Sequence, residues 1–241
     1  MTTPGDSAGV PWQGRELPQG DFSGDTGEAS PGLLRALTTG GERDVMRQLA
    51  RARLLVPMTA VAGETAEGVD GHVADKEADM AVVLLEHPDG RTALPVFSSM
   101  ADLAAFDSSL RPVPVEAARA ARAAISEQAD LIVLDCASEQ AFEVRGSMVW
   151  ALSQEREWLP AEEDPFVAEA VARVCARVDE ITDHTLAAGV PDGQGVLQIG
   201  LTLVPGLDEA TVQDLVTAIA EELATDGELR ARIDGLSFAI V

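Results

Sequence analysis

Met80-Ala81-Val82-Val83-Leu84-Leu85, then Glu86-His87-Pro88-Asp89-Gly90-Arg91, then Thr92-Ala93-Leu94-Pro95-Val96-Phe97: this stretch decides the architecture. Two apolar runs flank a Pro-Asp-Gly turn, the strongest hairpin signal in the chain. An antiparallel hairpin would put Lys76 and Asp79 at the sheet end that Phe97 also reaches. Arg91 would then sit at the opposite end, roughly 17–20 Å away for strands of ordinary length.

Outward from the hairpin, residues 54–61 form a second β run, separated from it by a polar stretch, 63–79, far longer than a tight turn. Upstream, Ser30-Pro31 reads as an N-cap with proline at the first helical position, and Val45, Met46 and Leu49 mark the inner face of a helix over 42–52. Residues 1–31 read as an irregular arm in which Trp12, Leu17 and Phe22 stand alone as apolar anchors. Downstream come a helix over 99–106, the segment Arg111-Pro112-Val113-Pro114-Val115, a helix over 117–128 and a short buried strand over 131–134. The first module ends near Trp158-Leu159-Pro160, where two prolines and three acids before Phe166 suit a linker.

Asp164-Pro165 then opens a helix with Val167, Ala170, Val171 and Val174 on one face. A weak strand over 178–186, the alternating Leu197, Ile199, Leu201 and Leu203, a helical stripe from Val212 to Leu223 and a last strand over 237–241 follow. The order α-β-β-α-β predicts a small antiparallel sheet with helices on one face. The expectation is an α+β protein: an arm (1–31), a domain over 32–160 and an acidic domain over 161–241, each domain a mostly antiparallel or mixed sheet packed with helices.

Composition narrows the function. The 241 residues carry 41 acidic and 17 basic side chains, a net charge of −24, and residues 161–241 alone account for −12 of it. So acidic a chain is a poor ligand for nucleic-acid phosphates or anionic lipid. No membrane-spanning run or signal peptide is visible, and two cysteines in apolar surroundings suit reduced thiols, which together predict a cytoplasmic protein. Sixteen Arg against one Lys, with no Tyr, resembles the coding bias of a high-GC bacterium.

The chemical candidates are weak. Asp21, Ser23 and Asp25 alternate as calcium ligands would, but the sixth and twelfth loop positions hold Thr26 and Gly32, so an Asx-rich turn is the reading. His72, His87 and His184 have no zinc spacing. Ser98, Ser99 and Ser147 lie in no nucleophile elbow, and Gly193-Gln194-Gly195 precedes a strand rather than following one. Cys136 follows Asp135, whose charge disfavours a thiolate. Arg43, Arg47 and Arg51 form a cationic helical stripe that suits an acidic partner or the acidic C-terminal module, against the plainer reading of a solvated face. No catalytic residue, metal or cofactor is expected.

Several stretches together resemble the SseB family, the enhanced serine sensitivity proteins: Trp12-x-Gly14-Arg15 before Phe22-x-x-Asp25-x-Gly27, Arg53-Leu54-Leu55-Val56-Pro57, Asp75-Lys76-x-x-Asp79-Met80, Gly90-Arg91-x-Ala93-Leu94-Pro95-Val96-Phe97, and Arg111-Pro112-Val113-Pro114-Val115. The likeness covers residues 10–160, with a separate C-terminal domain in many members. It implies a compact α+β fold and brings no established reaction, cofactor or catalytic residue. The reading is a non-catalytic interaction or regulatory protein that binds another protein, with neither nucleic acid nor membrane as partner and with a homodimer open. Its candidate interaction residues are Trp12, Arg15, Lys76, Asp79, Arg91 and Arg111. The alternative is an enzyme or sensor for a small amino-acid-like metabolite whose carboxylate Arg15, Lys76, Arg91 or Arg111 would hold, which requires those cations to converge on one pocket.

Overall fold

The computed structural model describes residues 22, 24–61, 79–86, 90–191 and 193–241. Trp12, Arg15, Lys76 and the His87-Pro88-Asp89 turn lie outside them, as does most of the 63–79 stretch. The architecture is α+β, with three sheets among the described residues.

Two short helices come first, α1 (Pro31–Thr39) and α2 (Glu42–Leu49), which bury Leu33 and Ala36, and Val45, Met46 and Leu49, respectively. Strand β1 (Arg53–Val61) is the centre of a sheet, flanked antiparallel by β2 (Asp79–Val82) and by β5 (Arg111–Glu116). A second sheet has the order β3 (Leu85–Glu86), β4 (Thr92–Val96), β6 (Leu131–Leu134), β7 (Phe142–Val144), with β4 and β6 parallel. The parallel pair requires a crossover, supplied by α3 (Met100–Asp107), β5 and α4 (Ala117–Ser126). Helix α4 buries an alanine stripe, Ala117, Ala120, Ala121 and Ala124, small enough to let it lie close to its neighbours. Helix α5 (Gly146–Ser153) packs beside it and is buried nearly all round.

The hairpin expectation is corrected in one respect. The apolar run from Met80 to Leu85 serves two sheets: β2 pairs with the far end of β1, Val61 opposite Asp79, and only Leu85 and Glu86 pair with β4. On the edge of β1 away from β5, Phe97 takes only Leu55, which leaves Met58 to Val61 open for β2 before the chain turns away at Leu84. Asp79 and Phe97 therefore do not share a sheet end, because Phe97 bridges to Leu55, six positions back along β1 from Val61.

After a 3-10 turn at Ala161–Glu163, Asp164 caps α6 (Pro165–Cys175) by accepting from Phe166 N at 2.9 Å. Strands β8 (Ile181–Ala188) and β9 (Val196–Leu203) pair antiparallel, and α7 (Glu209–Thr225) with α8 (Gly227–Arg232) leads to β10 (Gly235–Ile240). The order α-β-β-α-β holds, with α8 added, but the sheet is mixed: β10 lies parallel to β9, because a helical crossover returns the chain in the same direction. Beside a small apolar cluster of Leu55, Phe97 and Leu103, two larger ones result among the described residues. One includes Leu33, Leu94, Ile132, Met148 and Trp158; the other includes Ala161, Val167, Leu197, Ile199 and Ile219.

Candidate functional site

Strand β7 delivers Arg145 as the residue just before α5, and almost all of its side chain is buried between the two clusters. It lies on the N-terminal side of the fold, yet most of its partners do not. Arg145 grips Glu42 in a two-pronged pair, donates from Nε to Asp234 Oδ2 at 3.1 Å and donates to the Gly193 carbonyl at 2.8 Å. Asp234 also accepts from Ser147 N and Ser147 Oγ, each at 2.7 Å, while Trp158 Nε1 donates to Ser147 Oγ at 3.1 Å. Burial opposes the Arg145 charge, but the carboxylates of Glu42 and Asp234 outweigh it and hold the guanidinium above its ordinary value. Gly195 makes room: its φ is +68°, and an added Cβ would stand 2.9 Å from Arg145 Nε.

A second basic contact lies close by. Arg232 pairs with Asp164 at 2.7 Å, stands over the Phe166 and Trp150 rings at 4.5 and 5.1 Å, and shares Glu228 with Arg156. Arg43 joins Glu157 and Glu163, each at 3.3 Å. The stripe of Arg43, Arg47 and Arg51 thus divides: Arg43 reaches across to the 157–163 segment, and Arg47 pairs with Asp44 on its own helix.

Beside Arg145 runs a groove of about 560 Å³ lined by Arg91, Ile125, Glu143 and Trp150 and, from far along the chain, by Gln194 and Arg230. This is within the ~300–1,000 Å³ of ligand pockets. Arg91 is 3.4 Å from Glu143 at the rim, and Ile125 is 51% exposed. Of the described residues expected to act, Asp79, Arg91 and Arg111, only Arg91 lines this groove. Arg111 starts β5 in the other sheet, opposite Met58, and is exposed; Asp79 pairs through its backbone with Val61. Arg145, Ser147, Trp150 and Arg230 carried no motif, and the only sequence signal for them was the apolar run Met148-Val149-Trp150-Ala151-Leu152.

A second polar cluster closes the C-terminal ends of the parallel strands β4 and β6. Asp135, at φ +50°, is buried and accepts from Ser98 N at 2.7 Å. Ser99 caps α3 at Asp102 N and bonds the Asp102 carboxylate. Burial pushes the Asp135 carboxyl up, with Ser98 opposing and Asp102 adding to the rise, and burial likewise pushes the Cys136 thiol up. Arg53 ties this end to the arm, donating to the Ser98 carbonyl at 3.0 Å, to Asp25 at 2.9 Å and to the Glu28 carbonyl at 2.7 Å. Two stretches of the family likeness, Phe22-x-x-Asp25-x-Gly27 and Arg53 to Pro57, therefore meet here. Among the described residues no group of three or more His, Cys, Asp or Glu is placed to hold a metal ion, and no helix is long and apolar enough to cross a membrane.

No curated protein and no solved structure matches the chain. Residues 32–151 match the family model of the SseB protein N-terminal domain, a span that contains Glu42, Arg91, Arg145 and Trp150, and the sheet formed by β8, β9 and β10 lies beyond it. On that match the chain belongs to the SseB family.

Proposed function

We propose that the protein is a non-catalytic interaction protein of the cytoplasm, built as a 32–160 domain and an acidic 161–241 domain, that seats a partner protein along the groove between them. The observation that carries this reading is the placement of the cations. Arg91 precedes β4, and Arg111 opens β5 in the other sheet and does not line the groove, so the described members of the expected carboxylate-binding set do not converge. Arg91 instead shares a groove with Arg230, Trp150 and the exposed Ile125, which puts charged and apolar side chains side by side. That is the composition of a protein contact, in which aromatic and aliphatic anchors supply affinity and rim charges tune encounter. The thiols, both pushed up by burial, are poorly suited to nucleophilic work, which supports the non-catalytic part.

The test is site-specific photocrosslinking in the native host, with a photoreactive phenylalanine analogue at position 125. A discrete adduct that disappears when Arg230→Glu is added supports the reading. If no adduct forms, and free amino acids raise the melting temperature of the wild type but not of Arg230→Glu, the groove holds a small carboxylate and the alternative stands.

A further inference from the structure

Among the described residues the sheets end in several edge strands, and all but one of these are blunted. Strand β5 carries Pro112 and Pro114 and is flanked by Arg111 and Glu116. Strand β8 has a register shift between Ile181 and Asp183, with a carboxylate at the shift. Strands β2, β3 and β7 are four, two and three residues long. These are the devices by which proteins prevent pairing at an edge.

Strand β10 has none of them. It is six residues, Gly-Leu-Ser-Phe-Ala-Ile, at the edge of its sheet with neither proline nor charge. Val241 N donates to the Leu201 carbonyl at 3.0 Å, with Ile240 in register with Leu201, and this fixes the phase of the ladder. In a parallel pair alternate residues face the neighbour, so Gly235, Ser237 and Ala239 address β9 while the N–H and C=O groups of Leu236, Phe238 and Ile240 point away from the sheet. Among the described residues those outward groups meet no backbone or side-chain partner. Leu236 and Phe238 are only half-buried, and Ile240 and Val241 are 51% and 68% exposed. Leu215 and Val216 of α7 pack against the same core as Leu236 and Phe238 and are, like them, incompletely covered. An open backbone edge thus runs beside an apolar strip.

Charge selects the occupant. Residues 204–241 hold eight carboxylates against two arginines. Arg232 is held by Asp164 and Glu228, and Arg230 lies at the groove. Glu209, Asp214 and Glu221 on α7 have no ion pair among the described residues. A second copy of so acidic a unit would bring like charges together, whereas a cationic segment would be attracted. We propose that β10 is a docking edge which adds an extended, cationic segment of another protein as a fourth strand, with alternate apolar side chains entering the strip beside α7. This surface is separate from the groove and does not rest on it.

The experiment uses the full chain and a fluorescent, end-blocked hexapeptide of alternating Lys and Val, read by anisotropy. Three comparisons accompany it: the Glu/Val counterpart, the same Lys/Val peptide N-methylated on alternate amides, and the variant Ile240→Lys. The expected result is saturable binding of the Lys/Val peptide, weakened by salt and absent for the Glu/Val peptide. N-methylation, which removes strand hydrogen bonds but keeps the charge, should weaken it about tenfold or more. Ile240→Lys, at an exposed position, should weaken it about fivefold with an unchanged melting temperature, while Arg230→Glu in the groove should not weaken it. Equal binding of the N-methylated peptide, or no saturable binding, overturns the proposal. So does a wild-type dimer by light scattering that Ile240→Lys converts to monomer, since the edge would then belong to a second copy.

Discussion

Asp135 occupies a left-handed backbone position with its carboxylate in the interior, where it accepts from Ser98 N. Burial raises its affinity for a proton in the folded state above that in the unfolded chain. The folded form therefore binds more protons, and stability falls as pH rises from the ordinary aspartate range through the raised value. Asp135→Asn keeps an acceptor for Ser98 N and a side chain that tolerates positive φ, but carries no charge. Its melting temperature should exceed the wild type at neutral pH, and the gap should close as pH falls to the ordinary aspartate range; a gap independent of pH would remove this explanation. Ser99 makes a simpler case. Losing its cap on α3 through Ser99→Ala should cost about 1 kcal/mol by chemical denaturation.

At the scale of elements, Gly195 couples the entry to β9 to the Arg145–Asp234 pair. Gly195→Ala meets both an unfavourable φ and a crowded contact, and should cost about 1–3 kcal/mol in denaturant midpoint measurements. Much of the element order was legible, because capped amphipathic segments announce themselves. Ser30-Pro31 and Asp164-Pro165 did open helices, and Leu197, Ile199, Leu201 and Leu203 did alternate into a core. Helix α5 and strand β7 were not read. Six of the eight residues of α5 are buried, so it shows no polar face and hence no helical period. Strand β7 has only three residues, too few for alternation to register. The candidate site was obscured for the same reason: Arg145 lies between those two elements and Trp150 within α5, and the partners Glu42, Gly193 and Asp234 of Arg145 are distant in sequence from both. The split of Met80 to Leu85 between sheets is likewise a tertiary decision, since either pairing satisfies the same apolar run.

For the whole molecule, two apolar clusters are joined by a polar seam rather than by a slack tether. Trp158, Ala161 and Asp164, in the stretch whose prolines suggested a linker, are all buried. Arg145→Met would leave Glu42 and Asp234 without their shared cation, and removing one member of a buried pair typically costs about 3–5 kcal/mol. Calorimetry should show the single transition of the wild type resolve into two as the clusters lose their common anchor, and protease cleavage near Glu162 should accelerate. One undivided transition in Arg145→Met would mean that the apolar contacts alone unite the clusters.

The seam also bears on inheritance. Arg145 and Glu42 lie within the stretch matched to the family, whereas Asp234 and Gly193 lie outside it. A recombination event that exchanged only residues 32–151 with another lineage would import an arginine adapted to a different counter-charge, or lose the one this tail requires. Grafting either half onto a foreign mate therefore calls for transplanting Glu42, Arg145 and Asp234 together, since each carboxylate is matched to that one guanidinium.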